Sequence, residues 1–380
     1  MKIEMPSDIS QLLGGYSADR FLAGYWQKKP LLIRNAMPGF APPVAKAGLF
    51  ALAAQDDVEC RLVERTTAGW SLAHGPFGLR KLRAARGHPW TLLVQGVNLH
   101  HAGADRLLRR FDFIPAARLD DLMISWASDG GGVGPHVDSY DVFLLQAAGR
   151  RRWRLSMQKD KALVANAPLK ILRAFKASDE YVLEPGDMLY LPPGCAHEGV
   201  ALGECMTYSI GFRAPSAQEL ARGLLEQLAD DVVRDGMFAD PGLRAPRENA
   251  RLDDAYVTQA ARLIGRIETT RSRIARFLGR YLTEPKSQVF FVPPRRALAK
   301  PRFCALVARH GIELDPKTRM LHRNDRVYIN GEEVLMPRDT AALTRLADAR
   351  ILAPTVKPGA AALDLLYSWY THGWLHPGSK

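Results

Sequence analysis

A series of short strand-like runs fills the first part of the chain and constrains its fold more than any other feature. Glycine or proline breaks separate these runs, which include PLLIRNA, WTLLVQGVNL, DDLMISWA, DVFLLQ, RRWRLS, YVLEPGDMLYLPPG and MTYSIGF. Many short strands joined by such turns are typical of all-β barrels and sandwiches. We therefore predict a mainly β jelly-roll (cupin-type) domain over residues 1–215, with a few helices near its start.

The character of the sequence changes after residue 215. Ser216 and Glu219 fit a capping box before ELARGLLEQLADDVV, and AYVTQAARLIGRIETTRSRIARFLGRYL repeats apolar residues at helical spacing. This pattern predicts an α-helical region over residues 216–285. Its apolar faces either pack against the barrel or form a homodimer interface, and the sequence leaves both possibilities open.

The last block, residues 286–380, combines helices with a hairpin. It opens with VPPRR, and Asn330-Gly331 in RVYINGEEVLM is suited to a tight two-residue turn. Helical segments flank the hairpin in AKPRFCALVARH and RDTAALTRLADARILA. The combination predicts a winged-helix-like α+β module. Such modules often bind nucleic acid, but they are also common as domains that contact only other proteins.

Charge and cysteine usage narrow the functional classes. The formal net charge of +12 favours an acidic partner such as nucleic acid, with a solvated basic surface as the alternative. The four cysteines form no C-x-x-C pair, which argues against zinc ribbons and thioredoxin-like chemistry. No apolar stretch approaches the roughly 18 residues that a membrane span needs, and no export signal is visible, so we expect a cytoplasmic location without membrane association.

The motif most directly linked to chemistry is His136-Val137-Asp138, within GGGVGPHVDSYDVFLLQ. Residues i and i+2 of a strand point to the same face, so the imidazole and the carboxylate project side by side. Glycines at 130–132 and 134 allow a sharp turn before them and leave space above the site. An H-x-D pattern alone is weak evidence for a metal site.

A second segment, YVLEPGDMLYLPPGCAHEGVAL, supplies the third ligand. We predict a strand over Met188 to Leu191, followed by a turn that delivers His197 next to the strand of His136. Two histidines and one carboxylate on one side of a metal form the facial triad of non-haem Fe(II) oxygenases, which leaves the other side open for a co-substrate and O₂. The competing interpretation is two unrelated histidines.

Arg151 is the candidate partner for a carboxylated co-substrate. In the strand RRRWRLS, Arg151 shares a face with Trp153 and Leu155, whose side chains favour burial. A buried guanidinium needs a partner, and a dicarboxylate bound end-on satisfies it in bidentate geometry. An internal salt bridge to a barrel carboxylate is the alternative.

These segments resemble a known family. DDLMISWASDGGGVGPHVDSYDVFLLQAAGRRRWRLS, EPGDMLYLPPGCAHEGVAL and YSIGFRAPS are similar to the JmjC-type ribosomal oxygenases. More narrowly, they are similar to the bacterial arginine hydroxylases that act on the sixteenth protein of the large ribosomal subunit. FLAGYWQKKPLLIRNA, HGPF at 74–77 and LLVQGVNLHH fit the same family. The resemblance is specific over residues 15–215 and looser beyond them.

The resemblance implies an activity and a set of site residues. His136, Asp138 and His197 match the positions of the Fe(II) ligands, and Arg151 and Ser125 match those that bind 2-oxoglutarate. The expected reaction uses O₂ and 2-oxoglutarate to hydroxylate an arginine side chain at C-3, with release of succinate and CO₂. The implied partners are a large-subunit ribosomal protein as substrate and a second copy of the chain. The net charge of +12, rather than the resemblance, is the reason to consider ribosomal RNA nearby, and the sequence leaves this open.

An arginine substrate needs an acceptor for its guanidinium. Tyr140 and Asp141 follow the triad closely and are candidates for this contact, although Asp141 is equally suited to a structural role. Three other functions remain open at this point. They are oxygenase action on histidyl, asparaginyl or N-methyl-lysyl side chains, a metal-sensing winged-helix regulator that binds nucleic acid, and a catalytically silent cupin scaffold.

Overall fold

The computed structural model describes residues 9–378 except 68, 85, 86, 234, 236, 238–253, 266, 268 and 338–340. Its helices are α1 (Ile9–Leu12), α2 (Ala18–Gly24), α3 (Lys46–Leu52), α4 (Leu79–Ala84), α5 (Ala102–Leu108), α6 (Ala217–Asp231), α7 (Asp254–Ile264), α8 (Arg271–Thr283), α9 (Lys300–His310), α10 (Ala341–Ala349) and α11 (Ala360–Thr371). Short 3-10 turns cover Val97–Leu99 and Arg109–Phe111.

The strands fall into one large and two small sheets. They are β1 (Leu31–Ile33), β2 (Cys60–Thr66), β3 (Gly69–His74), β4 (Trp90–Val94), β5 (Leu119–Ala127), β6 (His136–Val137), β7 (Val142–Ser156), β8 (Asp179–Leu183), β9 (Met188–Leu191), β10 (Ala196–Phe212), β11 (Ile312–Leu314), β12 (Met320–Arg323), β13 (Arg326–Ile329), β14 (Glu332–Leu335), β15 (Ile351–Leu352) and β16 (Leu375–Pro377). The large sheet has the order β1-β9-β7-β10-β5-β4-β2-β3, with β6 on β10 and β8 on β7.

Two long strands, β7 and β10, run through both halves of the large sheet. Their antiparallel pairing shifts register between Leu202 and Met206, where both strands bend. Gly149 sits at the bend with φ of +62°, and a Cβ there would collide with the carbonyl oxygen of Glu204, so only glycine fits. Before the bend β7 pairs with β9 through residues 142–145, and after the bend it pairs with β8 through residues 151–155. The predicted jelly-roll barrel is thereby confirmed.

Aromatic side chains fill the space under the barrel's first helices. Phe21 of α2 contacts Phe143 and Tyr190, with ring centroids 5.4 Å and 5.0 Å apart. Phe111 and Phe212 join the same fully buried cluster. Because these rings come from helix α2, a 3-10 turn and three different strands, their packing fixes the N-terminal helices on the sheet.

The helical region begins as predicted and continues into the C-terminal module. Ser216 and Glu219 form the capping box of α6. Gly223 of α6 lies against the ring of Phe277 in α8, and Gly279 on α8 lies against the ring of Tyr328 in β13. Helix α8 therefore contacts α6 of the helical region and β13 of the C-terminal module, so its contacts cross the predicted boundary at residue 285. The boundaries 1–215, 216–285 and 286–380 stay predictions.

The C-terminal module has the predicted α+β character. Asn330 and Gly331 join β13 to β14 with φ values of 49° and 87°, as the two-residue turn requires. Helices α9, α10 and α11 enclose a core that includes Phe303, Leu343 and Trp369. One expectation fails in detail, because the predicted helix in RDTAALTRLADARILA ends at Ala349 and its last part forms β15.

Ion pairs fasten this module to strand β5 of the barrel. Asp120 accepts hydrogen bonds from Lys286 Nζ at 3.1 Å and from Arg319 Nη2 at 3.1 Å. Burial opposes ionisation of this carboxyl, but the two cations together hold its pKa below the usual value. The C-terminal module therefore contacts the barrel at Asp120, the residue next to Asp121 in strand β5.

Helix length also bears on membrane association. Across the described ranges, none of the helices combines the length and the apolar character that crossing a bilayer requires.

Candidate metal centre and cavity

The three predicted metal ligands meet at one end of the barrel. Strand β6 pairs with the start of β10 so that His136 lies directly opposite His197. Their ring centroids are 4.2 Å apart, and His197 Nε2 lies 3.7 Å from Asp138 Oδ2. One ligand atom from each of the three residues lies within 4.8 Å of the others. Within the described residues this is the one cluster of three or more such groups that could hold a metal ion.

Backbone carbonyls orient both imidazoles. His136 Nδ1 lies 2.9 Å from the oxygen of Gly134, and His197 Nδ1 lies 3.0 Å from the oxygen of Cys195. A carbonyl oxygen can only accept, so each Nδ1 carries the proton and each Nε2 keeps a lone pair for a metal. Burial, reinforced by the neighbouring His136, lowers the pKa of His197 to about 4. This imidazole is therefore neutral near pH 7.

The glycine run before His136 lets the chain pass close to strand β10. A Cβ on Gly132 would lie 2.5 Å from the carbonyl oxygen of Gly199, and Gly134 adopts φ of +76° beside Trp70. Neither position tolerates a side chain without a shift of its neighbours. The glycines noted in the sequence thus bring the His136 segment into register with β10.

A cavity opens next to the three ligands. Its wall includes all three of them together with Arg151, Ser125 and Tyr140. Six of the seven predicted site residues therefore line one cavity. The exception is Asp141.

Arg151 is buried in this wall, as its strand position predicts. Its Nε donates to Cys205 Sγ at 3.3 Å and its Nη1 donates to Ser125 Oγ at 3.2 Å. Nη2 has no hydrogen-bond partner in the part of the chain that the structure describes, and no carboxylate there pairs with the guanidinium. A buried cation with a free donor calls for an anion, and a carboxylate entering the cavity would satisfy it. The donor set therefore fits a dicarboxylate co-substrate.

Asp141 lies outside the cavity, contrary to its candidacy as a substrate contact. Its side chain is fully buried, and it accepts hydrogen bonds from the Tyr190 hydroxyl at 2.6 Å, from Gln27 Nε2 at 3.0 Å and from Arg118 Nη2 at 3.2 Å. These partners use the carboxylate completely. The placement agrees with the structural role that the sequence left open.

A second acidic residue, which sequence reasoning missed, does line the cavity. Asp121 in β5 is 5% exposed, and its Oδ2 accepts hydrogen bonds from Gln95 Nε2 at 2.8 Å and Gly96 N at 3.0 Å. Ser209 of β10 lies in the same wall, two positions after Thr207, which is the strand partner of Ser125. The signal was present in the sequence, since Asp121 lies four positions before Ser125 and shares its strand face.

The electrostatics of Asp121 suit a cationic guest. Burial raises the pKa of this carboxyl, whereas the charge of Lys286 opposes the rise. A buried carboxylate without a cation in hydrogen-bond contact is costly, and a guanidinium in the cavity would relieve that cost. The cavity therefore contains three side chains that could hold a metal, an arginine suited to bind an anion and an aspartate suited to bind a cation.

Comparison with known families agrees with this geometry. The JmjC domain profile matches residues 106–220, and a profile described as a ROXA-like winged helix matches residues 266–376. A third profile, the AraC-like ligand binding domain, matches residues 175–267.

Individual relatives extend the match to most of the chain. The chain is 33% identical to the ribosomal protein uL16 3-hydroxylase of Escherichia coli (strain K12) over 323 residues, which is 84% of this chain and 86% of that protein. It is 37% identical to a probable ribosomal oxygenase of Haemophilus influenzae over 60% of this chain and 62% of that protein. A bifunctional lysine-specific demethylase and histidyl-hydroxylase, NO66 of Aedes aegypti, is 25% identical over 47% of this chain and 30% of that protein.

Solved structures give the same result. The crystal structure of Escherichia coli YcfD superposes with a TM-score of 0.83 and 31% identity, covering 95% of this chain and 98% of that one. A structure of the same ribosomal oxygenase in complex with cobalt and 2-oxoglutarate superposes with a TM-score of 0.80 at 30% identity and the same coverage.

Proposed function

The chain belongs to the JmjC-type ribosomal oxygenases, and on that premise we propose that it hydroxylates an arginine side chain of a large-subunit ribosomal protein at C-3. It is an Fe(II)- and 2-oxoglutarate-dependent oxygenase, like its relatives. When bound, Fe(II), 2-oxoglutarate and O₂ supply the oxidising equivalents: one oxygen atom goes to the substrate carbon, and 2-oxoglutarate leaves as succinate and CO₂. The role of the protein is to hold and orient these groups.

We assign the metal to His136, Asp138 and His197. The observation that carries this proposal is that two imidazoles and one carboxylate meet on one side of a cavity. Each imidazole donates its Nδ1 proton to a backbone carbonyl, which leaves its Nε2 available to a metal. Neutral imidazoles and a carboxylate are the donors that Fe(II) takes in facial triads. The open side of the cavity leaves room for the co-substrate and O₂.

Arg151 and Ser125 are the proposed anchor for 2-oxoglutarate. The cysteine and serine contacts hold the guanidinium in one orientation, which leaves Nη2 free to donate to a carboxylate. Because arginine keeps its charge and its fork geometry, it binds the far carboxylate of 2-oxoglutarate with a defined direction. This direction aims the 2-oxo acid end of the co-substrate toward the metal.

Asp121, Ser209 and Tyr140 are the proposed contacts for the substrate arginine. Asp121 supplies the buried negative charge, and the other two side chains border the same space. A guanidinium fixed at one end places its aliphatic carbons at a defined distance from the metal side of the cavity, and such positioning selects which carbon reacts. Asp141 is left out of this set because its oxygens are already satisfied.

We further infer a homodimer, cytoplasmic location and proximity to ribosomal RNA. The helical region leaves several large apolar side chains exposed, among them Leu225, Val257 and Ile274. Leu225 and Ile274 lie on α6 and α8, which pack together, and exposed apolar side chains on packed helices support a protein contact at this surface. A ribosomal substrate, together with the net charge of +12, supports the other two inferences. Light scattering on a Leu225→Glu, Ile274→Glu variant would test the dimer, with a monomeric mass expected.

The reaction is tested by following succinate formation from 2-oxoglutarate in anaerobically Fe(II)-loaded protein after addition of O₂. The reaction is run with and without an arginine-containing fragment of the ribosomal protein, and the fragment is analysed by mass spectrometry. We expect stimulated turnover and a gain of one oxygen on arginine. Both should be absent in His136→Ala and retained in His74→Ala, which removes an exposed histidine away from the cavity.

The outcomes separate the competing functions. Oxygen on a histidine or asparagine, or loss of a methyl group from lysine, would keep the oxygenase chemistry and change the substrate class. Turnover without modification of any fragment would remove the arginine proposal. A protein that binds no iron and converts no 2-oxoglutarate would overturn the metal assignment and favour a regulator or a silent scaffold.

A further inference from the structure

A strongly cationic loop lies beside the cavity and has no part in the chemistry described above. We call residues 157–178, between β7 and β8, the basic loop. Its exposed cations are Lys159, Lys161, Lys170, Arg173 and Lys176, and Asp160 is its only acidic residue. Across the described ranges, none of these five cations forms an ion pair. A dense set of unpaired cations repels itself and attracts an anionic partner.

The basic loop is ordered by its own hydrogen bonds. Val164 N donates to Ile171 O at 2.8 Å and Arg173 N donates to Ala162 O at 2.8 Å, which makes a small hairpin. Gln158 Nε2 donates to the carbonyl oxygens of Asp160 and Ala174 and closes the base of the hairpin. An ordered loop loses little conformational entropy on binding, so its charges form a preformed surface.

The hairpin is seated on the two segments that carry the metal ligands. Leu172 N donates to Pro135 O at 2.8 Å, immediately before His136. Lys161 Nζ lies over Gly194, and Gly194 N donates to Asp138 O at 2.7 Å. The basic loop therefore borders the metal side of the cavity, where a macromolecular substrate would approach.

We propose that the basic loop docks ribosomal RNA and so holds a ribosomal protein that is bound to RNA at the entrance of the cavity. The choice of RNA rests on the proposed function, since a ribosomal substrate carries RNA with it. A ribosomal protein is itself basic, so the loop would repel the free substrate, whereas a phosphate backbone is attracted to these lysines and to Arg173. Docking of the RNA raises the effective concentration of the attached protein at the cavity.

The test compares two variants that lose the same charge. The loop variant carries Lys159→Gln, Lys170→Gln, Arg173→Gln and Lys176→Gln, and it keeps Lys161 because of its contact with Gly194. The control variant carries Arg295→Gln, Arg302→Gln, Arg309→Gln and Arg323→Gln, four exposed positions of the C-terminal module without an observed ion pair in the described residues. Full-length protein is titrated into a fluorescently labelled RNA hairpin, by anisotropy, at several salt concentrations.

We expect the loop variant to bind the RNA hairpin about tenfold or more weakly, with the slope of log affinity against log salt reduced by about 2 to 4. The control variant should retain the affinity of the unmodified protein. Equal binding by the loop variant and the unmodified protein would overturn the proposal. Loss in the control variant alone would also overturn it and would assign RNA binding to the winged-helix-like module.

Turnover separates this proposal from the proposed function. On the free ribosomal protein fragment, the loop variant should be at least as active as the unmodified protein, because it repels the basic fragment less. On RNA-bound precursor particles of the large subunit its KM should rise several-fold. Absence of hydroxylation by the unmodified protein would remove the proposed function, and the RNA titration would still be interpretable. Loop-dependent binding to phosphatidylserine vesicles without RNA binding would assign the loop to a membrane surface and refute RNA docking.

Discussion

Replacing the buried carboxylate of Asp121 by an amide should change activity and stability in opposite directions. Asp121→Asn keeps the size of the side chain and an oxygen that can accept the hydrogen bonds of Gln95 Nε2 and Gly96 N. What it removes is the charge that the substrate guanidinium is proposed to meet. Breaking a buried ion pair by removing one partner costs about 3–5 kcal/mol. Because Asp121 faces an open cavity, the lower end applies, about 100-fold in kcat/KM for the arginine fragment.

The stability change follows from the direction of the pKa shift. Burial raises the pKa of Asp121 above 3.8, so the folded state holds this proton more tightly than the unfolded chain. The stability gained from protonation is fully present below 3.8 and is lost as pH rises through the folded pKa. The ionised form of this carboxyl therefore destabilises the substrate-free protein, and the uncharged amide should raise the Tm by roughly 2 °C, for about 1 kcal/mol.

Two measurements decide the prediction. Initial rates of fragment hydroxylation give kcat/KM, and differential scanning calorimetry gives the Tm of the substrate-free protein. The binding of 2-oxoglutarate should be unchanged, which shows that the cavity is intact. Hydroxylation within threefold of the unmodified rate, or a lower Tm, would refute the reasoning and remove Asp121 from the substrate contacts.

Three further changes test other parts of the site. Arg151→Lys keeps the charge but loses the paired donors of the guanidinium. The KM for 2-oxoglutarate should rise about 10- to 100-fold, because one charged hydrogen bond of about 1.5–3 kcal/mol is lost. The outward-facing control Arg150→Lys should leave this KM unchanged. Asp141→Asn should lower the Tm without altering the KM for the arginine fragment, and an altered KM would return this residue to the substrate site. Lys286→Met removes the charge that opposes the raised pKa of Asp121, so the acid limb of the pH profile for fragment hydroxylation should move to higher pH, and Lys286→Arg should restore it.

Local patterns in the sequence determined the elements. The strand over Met188–Leu191 has the predicted bounds, the capping box of Ser216 is formed, and Asn330-Gly331 makes the predicted hairpin. Each depends on residues within a few positions of one another, because strand alternation, helix capping and turn conformation are short-range effects. The inward direction of Arg151 followed in the same way from the apolar residues that alternate with it.

Pairing between distant segments was decided only by the tertiary structure. The register that sets His197 against His136 comes from the pairing of β6 with β10, and no local pattern specifies it. The residues predicted that His197 lies next to the strand of His136, with two unrelated histidines as the competing interpretation, and the family resemblance implied the same set of ligands.

The two aspartates show the same division. Asp141 follows the triad closely in sequence, yet its carboxylate belongs to Tyr190, Gln27 and Arg118, which come from other elements. Asp121 lies on a different strand, β5, but faces the same cavity, because β5 and β10 are neighbours in the sheet. A strand's alternation fixes which residues share a face, and only long-range packing decides whether that face lines a cavity or a core.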